Sequence, residues 1–481
     1  MGKMCKWNRF VLFLVVLAFF GFSQAVSSQT CPPDADLQPL FTGPKNPVNG
    51  FPLWFMDQTG LALQICLDDV NGGCFFDPPD ANNPFSVQVG FGPEAFWWLA
   101  GATMAVPGGD ATLDMAAEAA WGAEVPNPGA QFPFTRLRIR IDTPQGNPDY
   151  QDSVFTVTHP YGVDVFTVAT PGVRAINETI DIPLAPPTFG VSHVSRIGNF
   201  LYWDTLGQTT GAPPVGFIGD GATPHVVLGS PCDTDFFRID AVTSGGAPID
   251  LDPGSINTYA QTTLFTVQGQ IFTGGTPAIV DSNTYSRNAS GQIDVFARAL
   301  EGANILVDGN GPMVENTLGG ILKKYFIHIP GLDAATLFVS PDTIIVAAAP
   351  PAANPFGYGT NNIEATLVDI VTITRAVYDV TTGGLTVVAS SSDKFLPPTL
   401  TAEGLGGLTN GTATFALGPI PPNMVTVNSS QGGSATAKVI VSSNLAGVCE
   451  GDLDGDGDQD GFDLDIFSLD YGRGDCSPII P

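Results

Sequence analysis

With 56 glycines and 41 prolines in 481 residues, this chain is interrupted too often for long helices. Proline removes a backbone donor and glycine loses the most entropy when a helix fixes it. A hydrophobic fraction of 43% still supplies enough apolar side chains for cores, so many short strands joined by turns are expected. Where the sequence is regular it alternates with period two. Leu137, Ile139 and Ile141 share one face of a segment whose other face carries Arg136, Arg138 and Arg140, the pattern of a half-buried strand.

Further β-branched or aromatic runs bounded by Gly, Pro, Asn or Asp lie at Val154–Thr158, Val163–Val168, Ile176–Ile182, Thr263–Val267, Leu337–Val339 and Thr343–Ala347. Others follow at Thr366–Val380, Leu385–Ala389, Thr412–Ala416 and Ala435–Val441. Asp110–Trp121 is alanine-rich, but its alternation and Gly/Pro flanks read as a strand. The fold class is therefore all-β, with multiple β-sandwich modules of immunoglobulin-like or jelly-roll-like type followed by a small calcium loop–helix unit. Composition shifts at Ser244–Ser255 and Ala347–Gly359 divide the chain. The expected division is a signal peptide over 1–28, an N-terminal β-rich domain over 29–255, a sandwich over 256–350, an immunoglobulin-like sandwich over 360–447, and the calcium unit over 448–477.

The formal charge is −29. Phosphate backbones and anionic lipid would repel such a chain, which argues against nucleic-acid and non-specific membrane binding. Lys3, Lys6 and Arg9 precede the apolar run Phe10–Phe22, and Ser23-Gln24-Ala25 offers small residues for cleavage. This is the layout of a secretory signal, too short to span a bilayer comfortably, and no second spanning segment follows it. The mature chain is expected to be extracellular.

Cysteine usage points the same way. Removing Cys5 with the signal leaves Cys31, Cys66, Cys74, Cys232, Cys449 and Cys476, an even set for an oxidising compartment. Cys66 and Cys74 flank a polar turn containing Asp68, Asp69, Asn71, Gly72 and Gly73, and Cys449 and Cys476 bracket one compact motif. Cys31 is left for Cys232 by elimination. None of the six has zinc-ligand spacing.

The strongest chemical signal is residues 451–463. Counting a calcium loop from Asp452, oxygens fall at positions 1 (Asp452), 3 (Asp454), 5 (Asp456), 9 (Asp460) and 12 (Asp463), with the Asp458 carbonyl at 7 and Gly457 at the sharp turn. Ca²⁺ needs six or more oxygens converging on one point, and aspartates so crowded repel one another without it. After the loop, Leu464, Phe467 and Tyr471 form an amphipathic stripe stopped by Gly472. Residues 449–476 carry ten acids against Arg473 alone.

The loop, the single following helix and the aspartate at position 12 resemble one repeat of a type I dockerin. That resemblance implies a cohesin-like or cell-surface partner and attachment of extracellular polysaccharide-degrading proteins to a scaffold. The unit departs from the pattern in having no second repeat, Gln459 at position 8, and flanking cysteines. A Cys449–Cys476 bridge would tie the loop's start to the helix's end, adding roughly 3 kcal/mol by chain entropy.

In the body, Phe51-Pro52-Leu53-Trp54-Phe55, Leu63-Gln64-Ile65-Cys66-Leu67-Asp68, Glu94-Ala95-Phe96-Trp97-Trp98, Arg138-Ile139-Arg140-Ile141-Asp142, the stretch Thr156–Asp164, and Gly229-Ser230-Pro231 with Asp235-Phe236-Phe237-Arg238-Ile239 resemble a family of secreted bacterial proteins. The resemblance implies a bacterial, extracellular setting and supplies no catalytic residue.

Enzyme signatures are mostly absent: no Gly-x-Ser-x-Gly elbow, His-Glu-x-x-His, phosphate loop or Rossmann fingerprint occurs. His159, His193, His225 and His328 are scattered, and no carboxylate spacing singles out a glycosidase pair. Trp54, Trp97, Trp98, Trp121 and Trp203 suit either sandwich cores or a sugar-stacking platform, and the arginine stripe suits either a carboxylate-paired face or an anion site. Two readings follow. The first is a secreted, modular, non-enzymatic protein with a calcium-binding tail for stability or attachment, and the second a polysaccharide-binding or polysaccharide-degrading protein docked through that tail.

Overall fold

A computed structural model describes residues 38–183, 192–205, 211–308, 310–316, 321–333 and 343–442. Nearly all regular structure in these residues is strand, arranged in six sheets that close into three sandwiches.

The first sandwich is built on a hairpin of two 13-residue strands, Glu94–Val106 and Gly109–Trp121. Gly108, at φ +102°, makes the turn, and a Cβ there would collide with the Thr143 backbone, so only glycine serves. Gln131–Ile141 and then Ile176–Pro183 extend the sheet on one side. Leu264–Ile271, Ala62–Gln64, Phe55–Met56, Gln38–Thr42 and Ser192–Ser195 extend it on the other. Ala260–Thr262, Phe237–Val242, Val154–His159 and Gly162–Thr167 form the opposing sheet. One core joins the two, including Trp98, Leu113, Met115, Leu137 and Ile139 with Phe155, Val157, Phe237 and Ile239.

Alternation therefore placed Leu137, Ile139 and Ile141 inside, and the alanine-rich segment is the strand Gly109–Trp121. Pairing also shows that residues 260–271 belong to the first sandwich's sheets, although composition set a boundary at 255. The Gly/Pro/Asp-rich stretch is a connection between two strands of one module. Composition marks turns, but only pairing says whether a turn separates modules.

The second sandwich packs the sheet Val314–Asn316, Leu322–Leu332, Gly291–Leu300, Ala278–Arg287 and Val368–Asp369 over Asn304–Val307, Thr343–Ala349 and Asn361–Thr366. Val295, Ala297, Ile305, Val346 and Ala348 are central to its core. The proline-rich stretch after Ala349 connects two paired strands of this module, Thr343–Ala349 and Asn361–Thr366. It is held by Tyr358, whose hydroxyl donates to the Gly60 carbonyl (2.9 Å) and accepts from the Ala62 amide (2.6 Å). Trp54, Met56 and Ala62 of the first sandwich meet Ile279, Leu300, Leu322 and Tyr358 in a shared apolar cluster.

The third sandwich sets Thr412–Ala416, Gly384–Ser391, Val371–Asp379 and Ile440–Ser442 against Gly406–Leu408, Leu400–Ala402, Met424–Ser429 and Ser434–Lys438. Its core includes Tyr378, Leu385, Val387, Ala402 and Val427. The run Thr366–Val380 is not one strand. It breaks after Thr366 and after Asp369, so that successive pieces serve different sheets and the chain passes into the third module.

That passage is polar and buried. Arg287 Nε lies 2.9 Å from Asp393 Oδ2, and Tyr285 donates its hydroxyl to the same oxygen at 3.1 Å. Asp393 Oδ1 caps the amides of Phe395 and Leu396. Asp369 accepts from the Ser391 hydroxyl and from the Gly433 amide. Both carboxylates, Arg287 and Tyr285 are withdrawn from solvent. A buried charge is tolerated only with such partners, so this network fixes the second module against the third. Burial and the Asp393 charge push the Tyr285 phenol up, keeping it a donor.

Candidate functional site

Asp452, Asp454, Asp456, Asp458, Asp460 and Asp463, together with Cys449, Cys476, Cys31, the signal segment and the strand read at Leu337–Val339, lie outside the described residues. Among the described residues, no group of three or more His, Cys, Asp or Glu is placed to hold a metal.

Cys66 and Cys74 are disulfide-bonded, with Cα atoms 5.5 Å apart. The turn between them is organised by Asp68, whose carboxylate accepts from the Val70 and Asn71 amides and the Asn71 side chain. These bonds hold the Asp68 carboxyl below its ordinary range. Phe75 exchanges two backbone bonds with the Gln268 side chain, docking the loop on the first sandwich. Closing so short a loop contributes roughly 2.5 kcal/mol by chain entropy. Replacing both cysteines with serine should lower the unfolding free energy by about that amount, measured by denaturant titration. Cys232 is buried and also disulfide-bonded.

The tryptophans resolve in favour of the core. Trp54, Trp97, Trp98, Trp121 and Trp203 are all buried. Trp97 meets Phe51 and Phe55 edge-on, and Trp121 packs on Phe51, Phe85 and Phe91. None offers a free ring face.

The three arginines face away from that core. Arg136 forks onto Asp181 with two 2.7 Å bonds and lies 3.4 Å from Glu118. Arg140 meets Asn177 at 3.3 Å and Asp114 at 3.9 Å. Arg138, between them, bonds Thr179 at 3.3 Å, and burial with the two neighbouring guanidiniums draws its pKa down. Carboxylates thus meet two of the three.

Glu118 sits under this stripe at 1% exposure. Burial, only partly offset by Arg136 and reinforced by Glu94, pushes its carboxyl up to about 8. Folded protein therefore keeps a proton that unfolded chain releases above the ordinary value of 4.5. Stability should fall with rising pH from that value and level off above about 8. Glu118→Gln should flatten this slope, tested by denaturant midpoints across the window.

The histidines do not converge. His159 is fully buried, and its Nδ1 accepts from the Tyr161 amide at 3.1 Å, so Nε2 donates to Asp164 at 2.8 Å. Arg196 forks onto the same carboxylate. Burial draws the His159 pKa down, and Asp164, despite burial, is held at about 2 by His159 and Arg196. With both nitrogens engaged, His159 is no free base. His225 stacks on Trp203 at 4.6 Å, His328 pairs with Asp294 at the surface, and His193 lies in the edge strand Ser192–Ser195.

Two features escaped the sequence. A cavity of about 550 Å³ opens at the joint of the first and second sandwiches, and Trp54, Phe272, Asn362 and Glu364 are among the residues that line it. On the second sandwich, Phe296 and Phe326 lie side by side and exposed, ring centroids 4.6 Å apart. Their alternation in Gly291–Leu300 and Leu322–Leu332, with Val295 and Tyr325 inward, was the available signal.

No protein-family model and no curated protein matches this chain. Two solved structures show distant likeness. One is a tri-modular GH5 (subfamily 4) endo-β-1,4-glucanase from Bacillus licheniformis complexed with cellotetraose, at 14% identity over 34% of this chain and 38% of that one, TM-score 0.14. The other is the BSP domain of a biofilm-associated protein, at 13% identity over 72% and 67%, TM-score 0.14. The chain spans well under half of the glucanase. TM-scores this low carry no statement about fold or activity.

Proposed function

We propose that this chain is a secreted, modular, non-catalytic protein whose β-sandwiches are followed by a calcium-binding unit serving stability or extracellular attachment. The observation that carries the reading is the spacing of Asp452, Asp454, Asp456, Asp458, Asp460 and Asp463 around Gly457, which supplies the oxygen count and sharp turn Ca²⁺ requires. The Cys66–Cys74 bond accords with an oxidising compartment. Bridges from Cys31 to Cys232 and from Cys449 to Cys476 belong to the same proposal, as does a cohesin-like or cell-surface partner for the tail. Incubating the secreted chain with a panel of polysaccharides should release no reducing ends, and turnover of any polymer would overturn the non-catalytic part.

A second reading, that the sandwiches bind a polysaccharide, is favoured by the exposed Phe296–Phe326 pair, since the tryptophans among the described residues are buried.

A further inference from the structure

Phe296 stands directly opposite Phe326 on adjacent antiparallel strands, and Phe326 stands opposite Val314 on the edge strand. Their exposures are 47%, 37% and 73%, although their alternate neighbours fill the second core. Ser282 continues the row on the other side of Phe296. The result is one apolar line running across the strands.

Polar rows border it on both sides. Toward one end of the strands, Asp294 and His328 are opposite each other and bonded at 2.7 Å. Toward the other, Arg298 forks onto Asp281 with bonds of 2.8–3.0 Å and faces Lys324 across the strand pair. Each carboxylate is held by a neighbouring side chain with oxygen lone pairs left over, and the Lys324 ammonium brings donors to the same flank. Adjacent strands lie about 4.8 Å apart, so the row is the length of a short oligosaccharide.

We propose that this face of the second sandwich binds a neutral polysaccharide segment, its sugar rings laid along Val314, Phe326 and Phe296 and its hydroxyls bonded by the Asp294–His328 and Asp281–Arg298 pairs. The proposal rests on the polysaccharide-binding reading and names its site. A sugar ring has an apolar C–H face that suits aromatic side chains and an equatorial rim of hydroxyls that needs both donors and acceptors. The flanks supply both. A protein partner fits less well, because a stable interface buries about 800 Å² on each side and a single row bordered by polar pairs is far narrower. An acidic polymer would meet Asp281, Asp294 and a chain of formal charge −29.

The test is affinity electrophoresis of the full chain in gels containing hydroxyethyl cellulose, xylan, mannan, pullulan or polygalacturonate. At least one neutral polymer should retard it, and polygalacturonate should not. Phe296→Ala and Phe326→Ala should each weaken retardation at least tenfold with unchanged thermal unfolding, while Phe296→Trp should preserve it. If a neutral polymer retards the wild type and both alanine variants equally, the site is elsewhere and the proposal fails while the reading stands. Loss with Asn362→Ala instead would move binding to the joint cavity and also overturn it. No retardation by any polymer removes site and reading together. Self-association in sedimentation velocity that is lost in Phe326→Ala, without glycan binding, would make the row a contact between copies and likewise contradict the proposal.

Discussion

Asp393→Ala should destabilise the protein by about 3–5 kcal/mol, because it leaves Arg287 charged and buried with its principal partner gone. The loss extends past the ion pair. Tyr285 would lose one acceptor, and the amides of Phe395 and Leu396 would lose their cap. Since Arg287 ends a strand of the second sandwich and Asp393 follows one of the third, the variant should also separate their unfolding. Calorimetry should resolve a transition for the third module at lower temperature than in the wild type. Replacing Arg287 and Asp393 together with methionine and leucine should recover much of the loss, since the expense lies in the unpaired charge rather than in the missing pair. Equal losses in the single and double variants would show that the joint depends on apolar packing.

Trp98→Ala should cost about 3–5 kcal/mol, the range for emptying a large aromatic site in a rigid core. Trp98 is fully buried, edge-on to Tyr161 at 6.0 Å and tilted on Phe200 at 5.6 Å. Its Nε1 donates to the Leu201 carbonyl at 3.1 Å. Removing the indole leaves a cavity and a buried carbonyl with one acceptor bond fewer. Trp98→Phe keeps most of the volume and should cost less, and a denaturant series comparing the two separates volume from hydrogen bond.

How much of this was legible beforehand differs by physical cause. Alternation in Leu137, Ile139 and Ile141, and in Leu113, Met115 and Ala117, reports a local property, and the strands followed it. Membership of a sheet is non-local, so nothing near residue 264 revealed that Leu264–Ile271 pairs with Glu94–Val106. The breaks within 366–380 were hidden for the same reason, since each piece is β-forming and only its partner differs. The short helix Pro84–Val89 had a readable signal in Asn83 followed by Pro84, a cap and first-turn residue, but the surrounding β composition masked it. Asp57, Asp369 and Asp393 are buried among 47 acids that look alike in sequence. Burial depends on what folds over a residue, as Phe200 does in donating its amide to Asp57. Of the candidate site residues, Cys66 and Cys74 were brought together as their spacing implied, and the aspartate loop lies outside the described residues.

The proposed calcium loop is the centre of the functional account, and isothermal titration of the full chain with CaCl₂ tests it most directly. One ion per chain should bind with a dissociation constant between about 10⁻⁷ and 10⁻³ M, the span of such loops in sensors and extracellular modules. Asp454→Ala combined with Asp456→Ala should abolish the heat while leaving the sandwiches' unfolding unchanged. Absence of binding at millimolar calcium, or equal binding by the double variant, would contradict the account.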